Sequence, residues 1–154
     1  MTRLAELIAT WFGSGYLPKA PGTWGSLAAL PFAWAILTFF PGPYVLLVAS
    51  AVLLPVGVWA STRHSETLGT HDAGEIVVDE VVGQWIVLSV APFSLLGWLA
   101  AFVLFRIFDV LKPWPISWID KRISGGWGIM LDDVAAGLFG ALAVSLIVFV
   151  VGEF

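Results

Sequence analysis

No charged residue occurs between Lys19 and Arg63, between Glu80 and Arg106, or between Asp133 and Glu153. A bilayer crossing needs ~20 mostly apolar residues, and each of these stretches is about that long or longer. The chain therefore reads as an integral membrane protein; a very greasy soluble core is the weaker alternative. Its eleven acidic and seven basic residues gather mostly in three islands. The first is small and centres on Lys19, the second runs from Arg63 to Glu80, and the third from Arg106 to Asp133. Ionised groups are costly to hold near lipid and usually mark a site.

The 154 residues suit one domain covering the whole chain, 1–154. Without cysteine there is no disulfide framework, thiolate nucleophile or Cys-based zinc site. The few basic residues are spread over separate loops and make no nucleic-acid surface. Met1 to Phe12 carries Glu6 and lacks the pattern of a cleavable signal peptide.

The expected fold is all-α, a polytopic membrane helical bundle of two hairpins and a C-terminal helix, preceded by an amphipathic N-terminal helix. Leu4, Leu7, Ile8, Trp11 and Phe12 recur at helical spacing, which suits a helix at the interface or on the bundle. Glycines and prolines from Gly13 to Gly25 then punctuate a tight loop. Leu27 to Phe40 and Tyr44 to Ala60 form the first hairpin about Pro41-Gly42-Pro43. A helix from His71 or Asp72 to about Val90 and its return from Leu95 to Leu111 form the second, about Pro92. Val134 to Val151 is the last helix. Two crossings between Glu80 and Arg106, rather than one, put every basic residue on one side, which the positive-inside rule makes cytoplasmic.

On a continuous helix Asp72, Ile76, Asp79 and Gly83 share a face, with Glu75 and Glu80 beside it. Carboxylates so arranged suit a hard cation such as Mg²⁺. Acids also favour helix N-termini, which accounts for Asp72 and Glu75 but poorly for Asp79 and Glu80, two turns on. His71 is a base, a ligand or a capping neighbour; His71, Asp72 and Asp79 are the catalytic candidates. His64 reads as a loop residue.

Arg106, Asp109 and Lys112 are spaced i, i+3, i+6 before Pro113, among aromatics typical of a membrane interface. They form either a surface ladder of ion pairs or a place for an anionic lipid phosphate. Gly125 to Gly137 reads as a flexible loop followed by Asp132 and Asp133 opening a helix. One of these is explained as an N-cap, not both. The small residues that follow let that helix end pack close to the one bearing Asp79. Asp79, Glu80, Asp109, Asp132 and Asp133 are thus the candidate metal ligands. Lys19, Arg106 and Lys112 are the candidate phosphate-binding residues, Lys19 from a loop whose N–H groups could wrap a phosphate.

GSGYLPKAPGTWGSLAALP (Gly13 to Pro31), HDAGEIVVDEVVGQWI (His71 to Ile86), FRIFDVLKPWPI (Phe105 to Ile116) and DKRISGGWGIMLDDVAAG (Asp120 to Gly137) together resemble the phosphatidylglycerophosphatase A family of bacterial membrane enzymes. They cover almost half the chain, in the family's order. The resemblance implies an all-α fold with a central helix surrounded by others. It also implies Mg²⁺-dependent removal of the terminal phosphate from phosphatidylglycerophosphate, in the bacterial cytoplasmic membrane. It does not say which carboxylate does what.

Other phosphatase signatures are missing: no DxDx[TV] run, no PSGH and no cysteine. Metal-activated water is the simplest remaining route, with an acyl-phosphate on an Asp as the other. A small transporter or ion-pathway protein is the rival class, but it would spread its acids through the membrane depth rather than at one face.

Overall fold

Prolines and glycines set most of the helix boundaries. The computed structural model describes residues 2–42, 44–70 and 73–152. The described residues form seven α-helices and no strand. These are α1 (Thr2–Ala9), α2 (Pro21–Phe39), α3 (Val45–Leu68), α4 (Val78–Leu88), α5 (Leu95–Leu111), α6 (Ile116–Arg122) and α7 (Gly125–Val151), with a 3-10 turn at Ser14–Tyr16. Pro21 opens α2, where a missing N–H costs nothing. Gly69, at φ 68°, closes α3 in the left-handed conformation that suits glycine. Ser94 caps α5 by accepting the Gly97 N–H at 3.0 Å, and Pro113 follows the other end.

The short helix α4 is the axis of the bundle. Every residue from Val81 to Leu88 is buried, and α2, α3, α5 and α7 all pack around it. Trp85 Nε1 donates to the Ala29 carbonyl of α2 at 3.0 Å, and Ser50 Oγ of α3 donates to the Val82 carbonyl at 3.4 Å. The central helix implied by the resemblance is therefore present. Its eleven residues extend only ~16 Å, about half a hydrocarbon core. Among the described residues, the three helices long and apolar enough to cross a membrane are α2, α3 and α7. Their outward side chains, among them Phe32, Val52 and Leu142, are exposed hydrocarbon, as lipid-facing surfaces must be.

The hairpin topology separates two ends. The turn after α2 and the turn after α4 meet around Pro41, Leu88 and Phe93, and neither carries a charge. The start of α4, the end of α5 and the start of α7 meet at the other end, with the charged residues.

Several sequence expectations need correction. The α4 helix begins at Val78, not near His71 or Asp72, so Ile76 precedes the helix and shares no continuous helical face with Asp79 and Gly83. The cause is tertiary. The Val77 N–H donates to the Ala9 carbonyl at 2.8 Å, and Gly15 sits so close to the Glu75 carbonyl that a Cβ would collide with it. His71 and Asp72 lie outside the described residues.

The α7 helix begins at Gly125 rather than Val134, so Asp132 and Asp133 are two turns inside it and Ser124 is the N-cap residue. Its glycines serve close packing: a Cβ on Gly126 would run into Val58 and Thr62 of α3. The short helix α6 was not expected at all. The stripe on α1 is also turned about: Leu4 and Leu7 are exposed while Ala5 and Ala9 are buried. Trp11 and Phe12 fall beyond that helix, at positive φ, and Trp11 packs edge-on against Trp85 with centroids 5.7 Å apart.

Candidate active site

Where α4 crosses α7, neither helix has a side chain. A Cβ on Gly137 would stand 2.7 Å from the Gly83 carbonyl oxygen. One turn earlier on each helix come Asp79 and Asp133, which this close crossing brings side by side. Asp79, Glu80 and Asp133 each offer a carboxylate oxygen, and the three lie within 4.8 Å of one another. They face a cavity of about 430 Å³ at the charged end of the bundle.

The carboxylates there are short of partners. Asp79 Oδ1, Glu80 Oε2 and Asp132 Oδ1 are buried without a hydrogen bond. Buried carboxylate oxygens are rarely left so, because an unpaired buried charge is strongly destabilising. A divalent cation would satisfy those of Asp79 and Glu80, which lie in the cluster with Asp133. The donors are all oxygen, which fits Mg²⁺ and not a soft metal.

Two basic side chains complete the wall. Arg106 Nη1 is bonded to Asp109 Oδ2 and lies 4.0 Å from Glu80 Oε1. Lys112 Nζ lies 2.6 Å from both Asp120 Oδ1 and Asp132 Oδ2, tying α6 to α7. Burial alone would lower the Lys112 pKa; the hydrogen bonds to Asp120 and Asp132 outweigh it and hold the ammonium above its ordinary range. Lys112 ends α5 in the left-handed region, at φ 41°, before Pro113.

Of the sequence candidates, Asp79, Glu80, Asp109, Asp132, Asp133, Arg106 and Lys112 all line this cavity. Asp109 and Asp132 each spend one oxygen on a basic neighbour, which leaves Asp79, Glu80 and Asp133 as the compact oxygen cluster. Lys19 is exposed and not among the lining residues. Ala20 and the first residues of α2, Pro21 and Gly22, line the cavity instead, and a Cβ on Gly22 would collide with the Glu80 carboxylate.

Asp120 was missed by sequence reasoning; it lies in the wall and reaches Lys112. Its only signal is a lone acid eight residues beyond Lys112, after two prolines. His64 is not in a loop but buried in α3, with Nε2 3.5 Å from Glu75 Oε1. It lies against the segment in which Ala73, Gly74 and Ile76 line the cavity.

Comparison with known proteins identifies the family. A family model described as Phosphatidylglycerophosphatase A matches residues 7–148. The chain is 47% identical over 137 residues to a protein named Phosphatidylglycerophosphatase A from Escherichia coli (strain K12), covering 88% of this chain and 78% of the relative. It is 42% identical over 143 residues to the protein of that name from Haemophilus influenzae, covering 92% and 87%. A Bacteroides thetaiotaomicron protein named Putative phosphatidylinositol-3-phosphatase is 38% identical over 156 residues, covering 97% and 96%. No solved structure matches the chain significantly. With a match that runs through all the cavity-forming helices, the chain belongs to the phosphatidylglycerophosphatase A family.

Proposed function

We propose that this protein is the bacterial membrane phosphatase that hydrolyses phosphatidylglycerophosphate to phosphatidylglycerol and phosphate, with Mg²⁺ as cofactor. The observation that carries the reading is the meeting of a three-carboxylate oxygen cluster with Arg106 and Lys112 in one cavity. A phosphate monoester carries two negative charges and needs cationic partners, while hydrolysis needs an electrophilic phosphorus and a positioned water.

Asp79, Glu80 and Asp133 would hold the cation, which when bound supplies charge at the phosphoryl oxygens. Arg106 and Lys112 bind and orient the phosphate, Arg106 as a fork aligned by Asp109 and Lys112 as a point charge between Asp120 and Asp132. Asp132 Oδ1, buried and unpartnered, is the carboxylate oxygen left to take the proton of the attacking water. The new bond forms from water oxygen to phosphorus, the bond to the glycerol oxygen breaks, and the leaving alkoxide takes up the proton that Asp132 accepted from the water. Nothing in this scheme needs a thiol or an imidazole.

The basic residues flank the cavity end, and the turns at the other end carry no charge, so the positive-inside rule directs the site to the cytoplasm. An ion pathway would need acids through the membrane depth, whereas these are gathered at one end.

Purified protein should release phosphate from phosphatidylglycerophosphate in mixed micelles, and do so faster than from phosphatidylinositol 3-phosphate. Absence of release from the first lipid, in the presence of Mg²⁺, contradicts the assignment. Faster release from the inositol lipid would move it to the activity that the Bacteroides relative's name describes.

A further inference from the structure

The segment between α5 and α7 makes one wall of the cavity and also one outer surface. Asp120 and Ile123 line the cavity, and between them Lys121 and Arg122 point away from it, exposed. Neither has a carboxylate within ion-pair distance among the described residues, while Asp120, the acid of the same helix, is already held by Lys112. The outward charge of α6 is therefore positive. Trp114 and Trp118 flank it, 78% and 52% exposed, far above what a buried anchor would show. Exposed Trp beside exposed Lys and Arg, at the end of a helix long enough to span a membrane, is the composition of a headgroup-level surface.

We infer that Trp114, Trp118, Lys121 and Arg122 form a docking surface for anionic phospholipid that keeps such lipid at the mouth of the cavity. The occupant is a lipid because the Trp rings demand a half-apolar partner, and an anionic one because the two basic groups have no acid to meet. Ring and charge sit within one short helix and its lead-in, so a single headgroup with its glycerol backbone is enough to engage both. As a feeder of the active site this surface rests on the lipid-phosphatase reading; as an anionic-lipid surface it does not.

The test uses the full-length protein in detergent, as wild type, as the charge-removing double variant K121Q/R122Q and as the charge-keeping double variant K121R/R122K. Titration with phosphatidylglycerol and with phosphatidylcholine, read by native mass spectrometry, gives the preference for the anionic lipid. Loss of one basic group near an anionic surface is worth about fivefold. The preference should therefore fall fivefold or more in K121Q/R122Q and stay within twofold of wild type in K121R/R122K.

In mixed micelles, the KM for the lipid phosphate, as mole fraction, should rise by a similar factor in the Gln variant with kcat unchanged. Hydrolysis of water-soluble glycerol 3-phosphate should not change. An undiminished anionic preference in K121Q/R122Q overturns the inference, and so does an equal fall in K121R/R122K. A preference lost as expected in K121Q/R122Q, together with a wild-type protein that releases no phosphate, would refute the phosphatase assignment and leave the docking surface standing.

Discussion

Gly83 and Gly137 touch backbone to backbone, and this contact places Asp79 against Asp133. Each glycine follows its aspartate by one helical turn, so the crossing point and the carboxylate cluster are the same device seen at two heights. A Cβ on Gly83 would also meet the Asp133 carbonyl at 2.6 Å and the Phe105 ring.

Gly137→Ala should therefore act at a distance from the chemistry. Overpacking of this kind costs ~1–3 kcal/mol, and the helices must part to relieve it. The expected result is a lower melting temperature in detergent together with a weaker stabilisation by added Mg²⁺. Gly42→Ala, where a Cβ meets nothing within 4 Å, is the control and should change neither.

Asp79→Asn keeps the shape of the side chain and removes its charge. Phosphate release should fall on the order of 100-fold or more, the scale of losing one charge-stabilising group in an active site. The variant should remain folded, and should melt no lower than wild type without metal, since it no longer buries an unpaired carboxylate. Near wild-type release with the same Mg²⁺ dependence would remove Asp79 from the ligand set.

Lys112 is predicted to serve the phosphate and not the cation. Lys112→Ala should raise the KM strongly while Mg²⁺ stabilisation measured without lipid stays close to wild type; Lys112→Arg should recover part of the loss. The raised pKa sets a sign. The ion pairs of Lys112 contribute fully below its ordinary value of 10.5 and are lost only as pH rises through the higher folded value. Thermal melts between pH 7 and 10 should thus show no loss of stability that Lys112→Gln abolishes. A step in that window attributable to Lys112 would contradict its placement between Asp120 and Asp132.

His64 joins α3 to the segment that walls the cavity through Glu75. His64→Phe should leave the helices intact and loosen residues 73–77, because it removes the contact with Glu75. Hydrogen exchange is the measurement. The Val77 amide, bonded to the Ala9 carbonyl, should exchange faster, while amides in the middle of α4 stay protected. Unchanged exchange at Val77 would mean that His64 does not steady this segment.

What could be read from the sequence follows from where the decisive forces lie. The bounds of α5 were legible because Pro92 and Pro113 punctuate it, and the spans because hydrocarbon demands uninterrupted apolar length. The start of α4 was not legible: Glu75 to Val77 fit a helical period, but a hydrogen bond from Val77 to Ala9 and the approach of Gly15 hold them in a turn outside the helix. Gly125 to Gly128 resembled a loop because glycine is a poor helix former, yet here it lets α7 approach α3. The acids of the site were visible as charges with no reason to be near lipid. Their division between cation cluster and ion pairs was not, since it depends on how α5 and α6 close over α4 and α7.

The central claim is that a divalent cation held by Asp79, Glu80 and Asp133 makes this bundle a lipid phosphatase. The most direct measurement is phosphate release from phosphatidylglycerophosphate by the purified protein, titrated with Mg²⁺ after EDTA treatment, for wild type and Asp133→Asn. The account predicts release that is absent in EDTA, rises to saturation with Mg²⁺ in the wild type, and stays near background in the variant at every Mg²⁺ concentration. Release that persists in EDTA, or a variant that follows the wild-type curve, would contradict it.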